Sequence, residues 1–168
     1  MNPTVSSNVT GDREQVVVFR NSSQKWIDVT TSDLMLSEGP VTAVSVLPGL
    51  DLVNLITTNV STSDFNSTAL RLTGAFSFTI TGIDATTRTV IEFAGQIIDS
   101  DIMFNPDVSF SLSTTTPSNR FDLESIATHE VGHLLSLDHS NILSSAMFPT
   151  ILAGASFPRN IALDDKSV

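Results

Sequence analysis

The 168-residue chain contains no cysteine. Disulfides, thiol nucleophiles and cysteine-ligated zinc are therefore excluded, although the absence by itself assigns no compartment. Basic charge is also scarce, with eight Lys and Arg against eighteen Asp and Glu for a formal net charge of -10. Such an acidic surface repels phosphate, which argues against a nucleic-acid partner, and it promotes solubility. No run approaches the roughly eighteen apolar residues of a membrane span. The opening Met1-Asn2-Pro3-Thr4 lacks the basic and apolar segments of an export signal. Histidine is nearly as rare: there are three, and all fall between positions 129 and 139.

Those three define the most informative stretch, His129-Glu130-Val131-Gly132-His133, with His139 six residues further on. On an α-helix, side chains at i and i+4 lie on one face about one turn apart, so His129 and His133 can direct imidazole nitrogens at one ion. Glu130 projects roughly 100° around the helix from His129. That suits a carboxylate that reaches a metal-bound water without ligating the metal. His139 lies too far along to remain on that face, so the chain must turn back after Leu135 or Ser136 to deliver it as a third ligand. Three protein ligands leave the fourth position of a zinc site open, as catalysis requires. Three neutral imidazoles leave the ion its positive charge, which lowers the pKa of a bound water toward about 7. Glu130 would take that proton as the water attacks an electrophilic centre and pass it to the leaving group.

The length suits one domain with a proper core. Residues 1–14 read as a loose polar leader. Val16 to Val29 fits a helical face, although Val16 to Phe19 alone could be a strand. Short strands are expected at Leu34–Leu36, Val41–Leu47 and Leu52–Thr57, with two or three more between 69 and 105, where Phe76 to Ile80 alternates and Thr89 to Phe93 and Ile97 to Phe104 are strand-like. The Ser/Thr run from Ser109 to Ser118 reads as a loop. Asp122 is a suitable N-cap for the histidine helix, whose buried stripe would be Leu123, Ile126, Ala127, Val131, Leu134 and Leu135.

The stretch from His129 to His139, followed by Ser140, resembles the extended zinc motif of the metzincin metallopeptidases, and Ser140 is the residue found there in the matrixin type. Ala146-Met147-Phe148-Pro149 resembles the matrixin Met-turn, with Phe148 in the place of a tyrosine. The resemblance implies that Met147 forms a hydrophobic floor below one catalytic Zn2+, while Pro149, Thr150 and Ile151 wall the pocket for the residue after the scissile bond. Ser100 to Phe104 resembles the edge strand above the cleft, which would give Ile102 and Phe104 the task of pairing with an extended substrate. Leu163-Asp164-Asp165 resembles the start of the family's closing helix. The fold so implied is α/β (α+β), metzincin-like: a small mixed, mostly parallel twisted sheet with an antiparallel edge strand, two or three helices and a Met-turn, spanning residues 15–168. The function implied is that of a secreted, monomeric zinc-dependent endopeptidase acting on extended peptides.

The chain departs from the family pattern in four ways. Ser136 stands where the motif has glycine, at a point where the backbone must become left-handed; serine tolerates this at a cost of about 1 kcal/mol. No histidine remains for a structural zinc, no cysteine can block the metal, and the chain stops where the last helix begins. Two other functions fit the same residues: a zinc-containing module that holds peptides without cutting them, and a structural or surface-attachment domain in which the metal only staples the fold. Asp99, Asp101, Asn105 and Asp107 supply oxygen donors for Ca2+, but without the dense loop of an EF-hand they read more simply as solvated strand-end groups.

Overall fold

The computed structural model describes residues 5–39, 54–63, 65, 77–81, 85–91, 97–155, 159–162 and 165. Two helices are described from end to end: α1, Gln15–Ile27, and α2, Leu123–Leu134. Among the described residues seven strands accompany them, β1 (Val9–Thr10), β2 (Leu55–Thr57), β3 (Ser77–Thr81), β4 (Ala85–Ile91), β5 (Ile97–Phe104), β6 (Phe110–Ser111) and β7 (Phe121–Asp122). The architecture is mixed α/β.

The strands fall into two small sheets. One has the order β2-β5-β4-β3, with β2 parallel to β5 and the other two pairs antiparallel. The other has the order β1-β6-β7 and is parallel throughout. Phe110 and Ser111, which the sequence places in a loop, therefore form the central strand of the second sheet. Val9 and Thr10 form its edge, so the polar leader is anchored from Asn8 onward, where the Asn8 amide also donates to the Asn105 carbonyl at 3.3 Å. A two-residue strand carries no periodicity, and only the partner across the ladder identifies it. Residues 34–36 are not a strand, but Leu34 and Leu36 pack against the core as irregular chain. The strand expected over 41–47 lies outside the described residues.

β5 corrects a further expectation. It lies between β2 and β4, with Ile102 opposite Ile56 on one side and Thr87 on the other. Ile102 and Phe104 are both 0% exposed. A strand hydrogen-bonded on both sides has no free edge for a substrate, and these side chains are core. Phe104 stacks on Phe19 of α1 and meets Phe110 edge-on, each at 5.6 Å between ring centroids. Such pairs add about 0.5–1.5 kcal/mol each beyond the area they bury.

α1 forms because Val18, Phe19, Ser22 and Trp26 recur on one face and are buried together. Thirteen residues make a marginal helix in isolation, so packing must hold it. Trp26 supplies much of that hold, since its indole N–H donates to the Thr128 carbonyl of α2 at 2.9 Å. α2 is buried along nearly its whole length, from Leu123 to His133.

Candidate metal centre

α2 is started and stopped by identifiable groups. Asp122 is the N-cap, and its carboxylate accepts from the Ser125 amide at 2.8 Å and the Ser125 hydroxyl at 2.9 Å. At the other end Leu135 is the C-cap and Ser136 takes φ 69°, the left-handed conformation the sequence requires there. The Ser136 amide donates to the His133 carbonyl at 2.9 Å, and the Leu137 amide to the Gly132 carbonyl at 3.0 Å. Together these form a Schellman ending built on serine. The turn reverses the chain and returns His139 to the helix.

All three histidines thereby converge. One ligand nitrogen from each of His129, His133 and His139 lies within 4.8 Å of the others, and the ring centroids are 4.5, 4.9 and 5.2 Å apart. His129 and His133 are buried and His139 is exposed, so one side faces solvent. Among the described residues this is the one group of three or more His, Asp or Glu side chains able to share an ion. Asp99 and Asp101, offered by the sequence as calcium ligands, are buried in β5, whereas Asp107 is exposed and accepts from the Thr62 hydroxyl at 2.9 Å.

Each buried ring is oriented from behind. His129 Nδ1 lies 2.8 Å from the Ala146 carbonyl and His133 Nδ1 lies 2.8 Å from the Leu137 carbonyl. A carbonyl can only accept, so both Nδ1 atoms carry the hydrogen and both Nε2 atoms present a lone pair. The two Nε2 atoms face each other at 2.9 Å. Two lone pairs pointed at one place repel unless a cation lies between them, and this donor set fits a divalent ion of the zinc type. Burial, the largest influence, drives the His129 pKa down to about 4 and that of His133 to about 3, so both rings are neutral near pH 7.

Glu130 is 3% exposed on the same turn of helix as His129. Met147 is buried beneath the motif: a Cβ placed at Gly132 would overlap the Met147 sulfur and come within 2.9 Å of Trp26 Cζ2. Glycine at 132 is thus what lets Met147 and Trp26 approach the helix together. The turn around Met147 is held by Asp165, whose carboxylate accepts from the Ser145 hydroxyl, the Ala146 amide at 2.9 Å and the Ala162 amide at 2.8 Å. Pro149 and Thr150 are exposed just beyond, and Ile151 is half-buried.

Sequence reasoning missed three of these groups. The Leu137 and Ala146 carbonyls orient the rings but are backbone, without a side-chain signature. Asp165 was legible only as part of a helix start, since nothing local reveals that its carboxylate faces a turn twenty residues earlier.

The family model described as Matrixin matches residues 82–168. The metalloendoproteinase 2-MMP of Arabidopsis thaliana is 45% identical over 56 residues, covering 33% of this chain and 14% of that protein. Metalloendoproteinase 1 of Glycine max is 56% identical over 34 residues, covering 20% of this chain and 11% of that protein. Karilysin of Tannerella forsythia is 36% identical over 56 residues, covering 33% of this chain and 11% of that protein. The chain therefore matches only a small part of the length of each of these relatives.

Proposed function

The chain belongs to the matrixin family, and from that membership we propose that it is a zinc-dependent endopeptidase hydrolysing extended peptides. The observation that carries the reading is the pair of Nε2 lone pairs facing each other at 2.9 Å, with the third histidine beside them and Glu130 on the adjoining face. His129, His133 and His139 would hold the ion, which when bound supplies Lewis acidity to polarise a carbonyl and to acidify water. Glu130 acts as the proton carrier, base first and acid afterwards, and its burial keeps that carboxylate out of bulk solvent. His129 and His133 remain neutral and fixed in one tautomer by Ala146 and Leu137. His139, on the exposed side, leaves the approach to the ion open to substrate.

In this reading the turn at Met147 is the Met-turn and Pro149, Thr150 and Ile151 form the pocket wall. Substrate pairing falls to the wall segment or to an antiparallel edge strand other than β5, since β5 is closed on both sides. Zinc is the metal this reading places on the three histidines. Among the described residues no helix is long and apolar enough to cross a membrane, and we place the enzyme outside the cell on the family's pattern alone.

The test is incubation of the zinc-loaded protein with a mixed peptide library, read by mass spectrometry, with Glu130→Ala alongside. Cleavage by the unsubstituted protein and its loss in the variant, with zinc retained, is the expected result. Equal cleavage by both would overturn the assignment of Glu130. Zinc binding without cleavage would favour a peptide-holding module, and unfolding on chelation would favour a metal that only staples the fold.

A further inference from the structure

Behind the turn that ends α2 lies a cavity of about 390 Å³. Its wall comes from three parts of the chain: the end of α1 with the residues after it (Trp26, Thr31, Leu34), the turn at Ser136 (Leu135, Leu137), and Asp165. Among the described residues no histidine lines it, so it is separate from the metal centre. Its volume falls in the range of sites that hold small organic molecules, roughly 300–1,000 Å³.

The wall selects by charge and polarity. Trp26 is buried and Leu34, Leu135 and Leu137 are half-buried, which makes the interior apolar. Thr31 and Ser32 are exposed and add hydroxyls at the mouth. The Asp165 carboxylate already accepts from the Ser145 hydroxyl and from the Ala146 and Ala162 amides. It is therefore a fixed negative charge that disfavours an anion, and the net charge of -10 acts in the same direction. A cation would lose its water against an indole and three leucines. An uncharged molecule, apolar in its body and carrying a hydroxyl or amide for the mouth, meets neither penalty.

Two wall residues also orient the metal-binding rings. The Leu137 carbonyl accepts from His133 Nδ1 at 2.8 Å. Asp165 holds the Ala146 amide at 2.9 Å, and the Ala146 carbonyl accepts from His129 Nδ1 at 2.8 Å. Trp26 donates to the carbonyl of Thr128, the residue before His129. A molecule seated in the cavity thus packs against the segments that aim both buried imidazoles.

We propose that this cavity is a binding site for an uncharged, largely apolar small molecule, and that its occupancy is coupled to metal binding. A ligand that holds Leu137 and Asp165 in place keeps the two imidazoles ready for the ion. By reciprocity, zinc tightens the ligand by the same factor as the ligand tightens zinc. The inference uses the histidine geometry and does not depend on peptide hydrolysis.

The experiment titrates the full chain, metal-free and zinc-loaded, with N-phenyl-1-naphthylamine, a neutral dye that brightens in apolar surroundings and accepts energy from tryptophan. Trp26 is the chain's only tryptophan, so energy transfer reports on this wall. Saturable transfer is expected, with dye binding about fivefold tighter in the zinc-loaded protein and zinc affinity, by equilibrium dialysis, raised by the same factor at saturating dye. Leu34→Phe fills the interior and Thr31→Phe narrows the mouth, and each should weaken the dye by roughly tenfold. Thr31 is exposed, so its variant decides the matter even where Leu34→Phe folds poorly. Transfer that never saturates, or dye affinity unchanged in Thr31→Phe and Leu34→Phe, would overturn the site. Equal dye affinity with and without zinc would overturn the coupling. A chain that binds the dye but takes up no zinc would overturn the metal reading and the coupling together, while supporting the cavity as a ligand site.

Discussion

At its N-terminal end α2 is fixed by charged side chains from remote segments, whereas at its C-terminal end it is fixed by backbone carbonyls and imidazoles from its own neighbourhood. Asp122 is paired with Arg159, and Glu124 with Arg13 and Lys25, across sequence separations of 37 to 111 residues. The groups that orient His133 and His129 lie only 4 and 17 residues away. The difference separates two tasks: the first end ties the helix to the rest of the molecule, and the second builds the site. Substitutions at the first should cost stability and spare the metal. Substitutions at the second should cost the metal or its chemistry.

The largest expected effect is at the second end. Glu130→Ala should lower turnover by about 10²–10⁴-fold, the usual worth of a positioned acid–base group, while zinc content measured by atomic emission stays at the level of the unsubstituted protein. Zinc lost together with activity would make Glu130 a structural member of the site and blur the division.

At the first end, Asp122→Ala removes an N-cap, worth about 1 kcal/mol, and leaves Arg159 without its buried partner. A total loss on the order of 3 kcal/mol in denaturant unfolding is expected, with zinc still bound after refolding. The same end should control acid sensitivity. Burial pushes the Asp122 and Glu124 carboxyls up, but the hydrogen bonds from Arg159, Ser125 and Thr116 to the first, and from Lys25 and Arg13 to the second, outweigh it and hold both below their ordinary values of 3.8 and 4.5. A depressed carboxylate contributes stability that is complete above its ordinary pKa and is lost as pH falls through the lower folded value. Melting temperature should therefore drop below about pH 4.5, and Asp122→Ala should shallow that drop. An identical acid profile in the variant would remove Asp122 from the explanation.

Smaller effects probe how the second end is packed. Gly132→Ala forces a methyl group into the Met147 sulfur and toward Trp26 and should cost about 2 kcal/mol, with weaker zinc retention expected if the helix shifts to relieve the overlap. Ser136→Gly should gain about 1 kcal/mol by relieving the left-handed serine. A neutral or destabilising outcome would mean that the Ser136 side chain contributes something that its strained backbone conceals.

The same contrast governs what could be read from the sequence. Where structure is fixed by neighbours a few residues apart, as from Asp122 to His139, the helix, its cap and the left-handed turn at Ser136 were legible, whereas of the expected buried stripe Leu134 and Leu135 are only half-buried and the helix is covered on its other faces too. The helical reading of Val16 to Val29 also agrees with α1, because its 3.6-residue pattern is local. What depends on remote partners was not legible. Val9–Thr10 and Phe110–Ser111 are strands only because they pair with each other and with β7. Ser100 to Phe104 was placed at an edge by resemblance, since the local pattern shows a strand but not its neighbours, and two flanking strands place it inside. Asp165 was invisible as a support for the turn at Met147 for the same reason.

The central claim is that His129, His133 and His139 hold one divalent ion. Equilibrium dialysis of the purified chain against zinc at neutral pH, with His139→Ala measured in parallel, tests it most directly. One zinc per chain, with affinity falling at least tenfold in the variant, is the predicted result. Unchanged binding without His139, or no binding by the unsubstituted chain, would contradict it.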